Sequence, residues 1–460
     1  MERNADRKVE DTMIRKLTLS AVAVSFFASL ASAQVDFING ADVQAGIAAQ
    51  DTVIPEPAAP EAVEGDKGVV TDWLTGLFSK PAAPKAPAEW TIMVFGNGKN
   101  DLEPFLMKDL NEMEKIGSTD KVNIVVEAGR IAGYDSSDGD WKGVRRFRMV
   151  KDTNTSKVSS PVLQDLGNKD MGAYQSVIDF ANWAKAAYPA KKYMLIFWNH
   201  GAGWTRSGQR PITRGISYDE ASGNHINTPQ MGLIMKALGK TDVVGTDACL
   251  MQMAEVDYEI KDSVEYIVAS EETEPGDGYT YDLFLGPVVK NPTMSAMELG
   301  KAAVDGYANH YDGIDQGYTQ SLVKASEVGK LVQLTDAFGA AVMAANEKAL
   351  AKTSRDATIN FAMAENRDLY DFTRRVVEGS RNEAVKTAGR ALMTHITGSL
   401  VTHNRTRDDK GGPWSGPKAF SLAKGIAAYF PTYALGAGYT DLAWAKASKW
   451  DEFVLWINQP

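Results

Sequence analysis

Apolar and polar positions along the chain alternate between short, nearly continuous apolar runs and longer stretches of helical periodicity. Residues 91–95, 121–128, 144–150, 193–198, 242–246 and 264–270 read as strands, because runs this short, rich in branched and aromatic side chains, suit a buried sheet. Between them, 102–116, 171–188, 229–238 and a stretch beginning just after Cys249 carry the three-and-four spacing of amphipathic helices. This alternation predicts a mainly parallel α/β sheet flanked by helices. Helices are expected to dominate from there to about residue 390, with a late strand at 425–430 and a terminal helix at 450–456.

Two of the runs end in residues that carry chemistry. Tyr193-Met194-Leu195-Ile196-Phe197-Trp198 leads into Asn199-His200-Gly201, and Asp242-Val243-Val244-Gly245-Thr246 leads into Asp247-Ala248-Cys249. Open α/β sheets bind ligands outside the carboxyl ends of their strands, so these runs would offer an imidazole and a thiol on one edge. That pair suits nucleophilic catalysis: the base takes the thiol proton and later protonates the leaving group. A helix starting just after Cys249 would favour the thiolate through its dipole, and Asp247 would oppose it. Taken singly, Cys249 also reads as a small buried hydrophobe, His200 as a satisfied polar group and Asp247 as a helix cap. Only the joint placement favours chemistry.

Composition narrows the setting. The 460 residues carry a net charge of −10 and no lysine-arginine cluster, which argues against nucleic acid or an anionic membrane and is compatible with basic peptides. Arg15 and Lys16 precede an apolar run at 17–30 and the small residues Ala31-Ser32-Ala33, so 1–33 reads as a signal peptide and the mature chain as periplasmic or extracellular. No run is long enough to span a membrane. A single cysteine in an oxidising compartment is either buried and inert or kept because it reacts. Residues 34–89 are rich in Ala and Pro, a linker or a propeptide with Lys80 and Lys85 open to cleavage, and 90–460 form the globular part.

Other chemistries fit less well. Gly96-Asn97-Gly98 imitates a dinucleotide fingerprint, but Asp101 stands where its third glycine belongs, and Gly239-Lys240-Thr241 lacks a phosphate loop's first glycine at Ile234. No Gly-x-Ser-x-Gly elbow, His-Glu-x-x-His pair or second cysteine occurs. The acidic loop at 135–140 offers oxygens to calcium, at a spacing unlike that of an EF-hand. A second acidic loop, 271–279, leaves the same sheet edge as the two motifs and makes a plausible pocket wall.

Several segments together resemble the clostripain family of cysteine peptidases, relatives of caspases, gingipains and legumain. They are Trp90-Thr91-Ile92-Met93-Val94, Asn100-Asp101-Leu102-Glu103, Asp109-Leu110-Asn111-Glu112-Met113, Trp198-Asn199-His200-Gly201-Ala202-Gly203-Trp204, Asp247-Ala248-Cys249-Leu250-Met251, Pro275-Gly276-Asp277-Gly278 and Asp368-Leu369-Tyr370-Asp371-Phe372. The resemblance implies a caspase-like three-layer sandwich, with Cys249 as nucleophile, His200 as general acid/base and the amides of Gly201 and Cys249 as the oxyanion site. It implies protein or peptide substrates with Arg or Lys before the scissile bond, received by Asp247 and more weakly by Asp277. It further implies self-cleavage between the His and Cys motifs, at Arg214 or else Arg206; Pro211 makes the bond after Arg210 a poor substrate. The chemistry needs no cofactor, although some relatives depend on calcium. An inactive binding or scaffold protein of the same fold and a thiol-dependent transpeptidase are the alternatives.

Overall fold

The protein is described by a computed structural model that covers residues 87–204, 215–411 and 416–460. The signal-peptide reading, the linker up to residue 86, and Arg206, Arg210 and Arg214 lie outside the described residues, while Ala88 and Glu89, at the end of the segment read as linker, belong to the first strand.

The chain forms strands β1 (Ala88–Gly98), β2 (Val122–Arg130), β3 (Gly143–Arg148), β4 (Val162–Asp165) and β5 (Ala190–Trp198). A hairpin of β6 (Ile216–Asp219) and β7 (Asn224–Ile226) follows, then β8 (Thr241–Asp247), β9 (Val264–Ala269) and β10 (Tyr318–Lys324). The last strands are β11 (Asn366–Asp368), β12 (Val401–Arg407) and β13 (Ala427–Tyr429). Nine of them make one sheet in the order β12-β10-β9-β8-β5-β1-β2-β3-β4. The five central strands, β9-β8-β5-β1-β2, are parallel, and the outer pairings are antiparallel. The mainly parallel sheet flanked by helices is therefore present as the sequence predicts.

Successive side chains of a strand point to opposite faces, and the central runs are apolar on both. Met93, Phe95, Leu195, Phe197, Val244 and Ile267 face one core, while Ile92, Val94, Met194, Ile196, Val243 and Val268 face the other. The second face is covered by α1 (Glu103–Ile116) through Leu106, Leu110 and Met113. The first is covered by α2 (Tyr174–Ala187), α3 (Thr228–Leu238) and α4 (Ala254–Ile260). Helices α5 (Tyr281–Lys290) and α6 (Ala296–Gly313) return to the second face. The result is three layers.

Two expectations change. The region read as helical to about residue 390 contains β10, whose buried Thr319, Gln320 and Ser321 hide a strand behind a polar surface. The late strand at 425–430 is β13, which pairs with β11 outside the main sheet. Among the described residues no helix is long and apolar enough to cross a membrane.

Candidate active site

The two loaded strands are hydrogen-bonded neighbours. β5 and β8 run parallel with Trp198 opposite Asp247, and Asn199 N–H donates to the Asp247 carbonyl at 3.2 Å. His200 and Cys249 thus leave the same edge of adjacent strands. Gly201 presses so closely on the second segment that an added Cβ would lie 2.3 Å from the Cys249 carbonyl oxygen. Only a residue without Cβ fits there. The Gly201 N–H is directed at the thiol sulfur, and Glu274 N–H approaches the same Sγ at 3.4 Å. The thiol is 4.0 Å from the Glu274 carbonyl oxygen. The loop at 271–279 is thereby a wall of the site.

The turn after Cys249 departs from expectation. Leu250 is left-handed at φ 65, its N–H bonds the Glu272 carbonyl at 3.0 Å, and Gln252 N–H bonds Ser270 at 2.9 Å. Met253 bridges to Ala427, and α4 starts only at Ala254. These residues find sheet-like partners instead of winding into a helix. The expected helix-dipole assistance to the thiolate is therefore absent at this spacing. The capping role for Asp247 also falls, since Met253 occupies the cap position. Burial first, then the negative charge of Glu274, pushes the Cys249 thiol up to about 12. Before anything binds, the sulfur holds its proton at neutral pH.

His200 meets a carboxylate that the sequence reading passed over. Its Nε2 lies 2.6 Å from Oδ1 of Asp101, in the loop after β1. Burial acts to raise the Asp101 carboxyl, but the hydrogen bond and charge of His200 prevail and hold it below the usual range. An ionised carboxylate only accepts, so Nε2 carries the hydrogen and, in the neutral imidazole, Nδ1 keeps the basic lone pair. Asn199 is fixed behind it: Oδ1 accepts from Tyr218 N–H at 2.7 Å and Nδ2 donates to the Asn97 carbonyl. Asn97, from the imitation fingerprint, donates to Ser217 Oγ at 3.1 Å, so it anchors the β6–β7 hairpin. The buried Lys99–Asp219 pair at 2.8 Å pins that hairpin a second time.

Beneath the thiol lies a group of buried carboxyls. Asp247 accepts from Tyr279 N–H at 2.9 Å and from Tyr281 OH at 3.0 Å, and its carboxyl shares a hydrogen bond with that of Glu274. Glu274 also accepts from Gln320 Nε2 at 3.2 Å, and Asp109 accepts from Trp198 Nε1 at 2.7 Å. Burial pushes Asp247 up to about 6. Burial and then the charge of Asp247 raise Asp109 and Glu274 well above the carboxylate range. Among the described residues no Lys, Arg or His is ion-paired with any of the three. Gly278, at φ +54, passes so near Asp247 that an added Cβ would stand 2.5 Å from Oδ1. Asp277 sits apart, half-exposed and held by Lys108 at 2.6 Å and His310 at 2.9 Å.

The acidic loop at 135–140 turns its Asp135 and Ser137 carbonyls to the Arg130 guanidinium, at 2.9 and 3.0 Å. Among the described residues no three His, Cys, Asp or Glu side chains are grouped to hold a metal ion. Asp101, Asp109 and Glu274 are the site residues that sequence reasoning missed. Position was their signal, since Asp101 follows a parallel strand at the same edge as His200 and Glu274 follows another.

Comparison with known proteins fits this arrangement. The family model of the clostripain family matches residues 94–454. Clostripain of Hathewaya histolytica is 28% identical over 214 residues, 42% of this chain, and the match spans only 40% of that relative's length. A secreted cysteine protease of Bacteroides thetaiotaomicron, solved with an irreversible peptide inhibitor, superposes with a TM-score of 0.62 at 19% identity over 79% of this chain and 100% of its own. An inactive zymogen protease of Parabacteroides distasonis gives 0.57 at 18% identity over 80% and 99%. At such identities these two likenesses speak for the fold. The family match covers most of the chain, both motifs included, and the chain belongs to the clostripain family of cysteine peptidases.

Proposed function

We propose that the chain is an exported endopeptidase that cuts after Arg or Lys through a thioester intermediate. The observation that carries this reading is the packing of Gly201 against Cys249, with buried Asp247 two residues before the thiol and, among the described residues, in no ion pair with a cation. Cys249 attacks the scissile carbonyl carbon. His200, held by Asp101 at Nε2, takes the thiol proton at Nδ1 and returns it to the leaving amine, after which water hydrolyses the acyl-enzyme. The amides of Gly201 and Cys249 stabilise the developing oxyanion, an effect that can lower a barrier by a few kcal/mol. Asp247 receives the cationic side chain, and burial strengthens that pairing. Asp277 contributes from the rim, where its charge is already shared with Lys108 and His310.

Maturation by cutting at Arg214 or Arg206, a propeptide role for the segment before the domain, and a supporting calcium ion belong to the same proposal. The test is turnover of fluorogenic peptides with Arg, Lys or Asp before the reporter, by protein from Gln34 onward. Arg or Lys turnover that disappears in Cys249→Ala is the expected result. Equal activity in that variant would overturn the mechanism, and absence of turnover even after calcium and trimming would favour a binding protein of the same fold.

A further inference from the structure

Glu274 faces two ways. Its backbone brackets the nucleophile, with N–H 3.4 Å and carbonyl oxygen 4.0 Å from Sγ, while its carboxyl hydrogen-bonds that of Asp247. Both residues are more than nine-tenths buried, and Glu274 Oε2 and Asp109 Oδ1 receive no hydrogen from any N–H or O–H group of the described protein. We propose that Glu274 couples the pocket to the nucleophile: a guanidinium or ammonium seated against Asp247 and Glu274 neutralises the charge beside Cys249 and so activates the thiol of the enzyme that has bound it. This rests on the reading of Asp247 as the receiver of a basic side chain.

Two buried carboxyls in contact hold one proton between them, because both cannot ionise away from water. An arriving cation pairs with the single negative charge that the two carboxyls carry, and the shared proton stays between them. The net charge of the site beside the sulfur is then cancelled, and among buried groups that difference is weakly screened. Burial first and Glu274 second are what raise the Cys249 thiol, so the cation acts on the second cause directly. The other groups facing the pair are Glu272, Asp109 and the hydroxyls of Tyr279, Tyr281, Tyr307 and Tyr311, with His200 across the site. Lys108, whose charge reaches Asp109, is engaged with Asp277 and Glu112 at the rim. Among the described residues no lysine or arginine is ion-paired with Asp247 or Glu274. A substrate with an uncharged side chain would then bind to an enzyme whose sulfur stays protonated, and discrimination would appear in kcat as well as in KM.

The experiment follows iodoacetamide alkylation of the full mature chain against pH, with and without methylguanidine. Methylguanidine should lower the midpoint of the alkylation profile by at least a pH unit, so that the rate near neutrality rises about tenfold. The midpoint is the readout, since a ligand that merely obstructs the thiol lowers the plateau and leaves the midpoint in place. Glu274→Gln should have a lower midpoint without ligand and a smaller response to it. An unmoved midpoint in the wild-type protein, alongside normal cleavage of arginyl peptides, overturns the coupling and leaves the proposed function standing. Failure to cut arginyl and lysyl peptides while the thiol alkylates normally overturns the specificity reading on which the coupling rests.

Discussion

Asp101 Oδ1 and His200 Nε2 lie 2.6 Å apart, which fixes both the orientation of the imidazole and the nitrogen that carries its hydrogen. Replacing Asp101 by Asn keeps the shape and offers either a carbonyl or an amide to the ring. The amide orientation would favour the opposite tautomer and leave the hydrogen on the wrong nitrogen. We expect Asp101→Asn to lower kcat on the order of 10²-fold or more, to leave KM nearly unchanged and to shift the acid limb of the pH profile. An unaltered pH profile with full activity would show that the pair is structural only.

Gly201 has no room for a methyl group: the Cys249 carbonyl oxygen, Ala248 Cβ and Cys249 N would stand 2.3, 3.0 and 3.1 Å from it. Gly201→Ala must part the two strand ends, which moves the amide directed at the sulfur. The expected result is a loss of about 10²–10³-fold in kcat with a folded protein, checked by peptide turnover and by the thermal transition. Wild-type turnover would mean that the edge is far more plastic than its packing suggests.

The buried carboxyls of Glu271 and Asp368 share a hydrogen bond, with Glu271 also accepting from Gly425 N–H at 3.0 Å and Asp368 from Lys424 N–H at 2.7 Å. Burial pushes Asp368 up to about 6 and, with the charge of Asp368, Glu271 well beyond the carboxylate range. The folded state therefore holds protons that the unfolded chain releases near pH ~4. Stability from this pair is complete below that pH and falls as pH rises through about 6. Glu271→Gln keeps an acceptor for Gly425 and a donor for Asp368, and should flatten the decline and raise the unfolding midpoint at pH 8 relative to wild type. A parallel pair of stability curves would refute the shared proton.

Arg130 and Glu103 form a wholly buried ion pair at 2.6 Å. Arg130→Ala strands the carboxylate and should cost about 3–5 kcal/mol in denaturant unfolding. Pairing it with Glu103→Leu should restore most of that loss; if the double variant is as unstable as the single, the guanidinium's bonds to Asp135 and Ser137 matter more than its charge.

The central strands could be read from sequence because both of their faces are buried and apolar, so composition alone marks them; Tyr193 through Trp198 is the clearest case. β12 could not, because Thr402 to Arg407 lie half-buried on an edge and resemble a loop. His200 and Cys249 announced themselves as rare residues at the ends of such runs. Asp101 and Glu274 belong to common acidic types, and what makes them informative is proximity across 99 and 25 residues of chain. The short turn at 250–253 misled for another reason: its apolar spacing suits a helix, and only partners at Glu272, Ser270 and Ala427 decide otherwise.

The segments bearing His200 and Cys249 are joined by a long connection, yet each is gripped independently by the sheet. β5 is laddered to β1 on one side and β8 on the other, and β8 also to β9. Covalent continuity between the two motifs is thus separate from mechanical continuity. Severing the backbone somewhere in that connection would release a pair of new termini without letting go of either strand, and the assembly would behave in solution as one body built from two polypeptides.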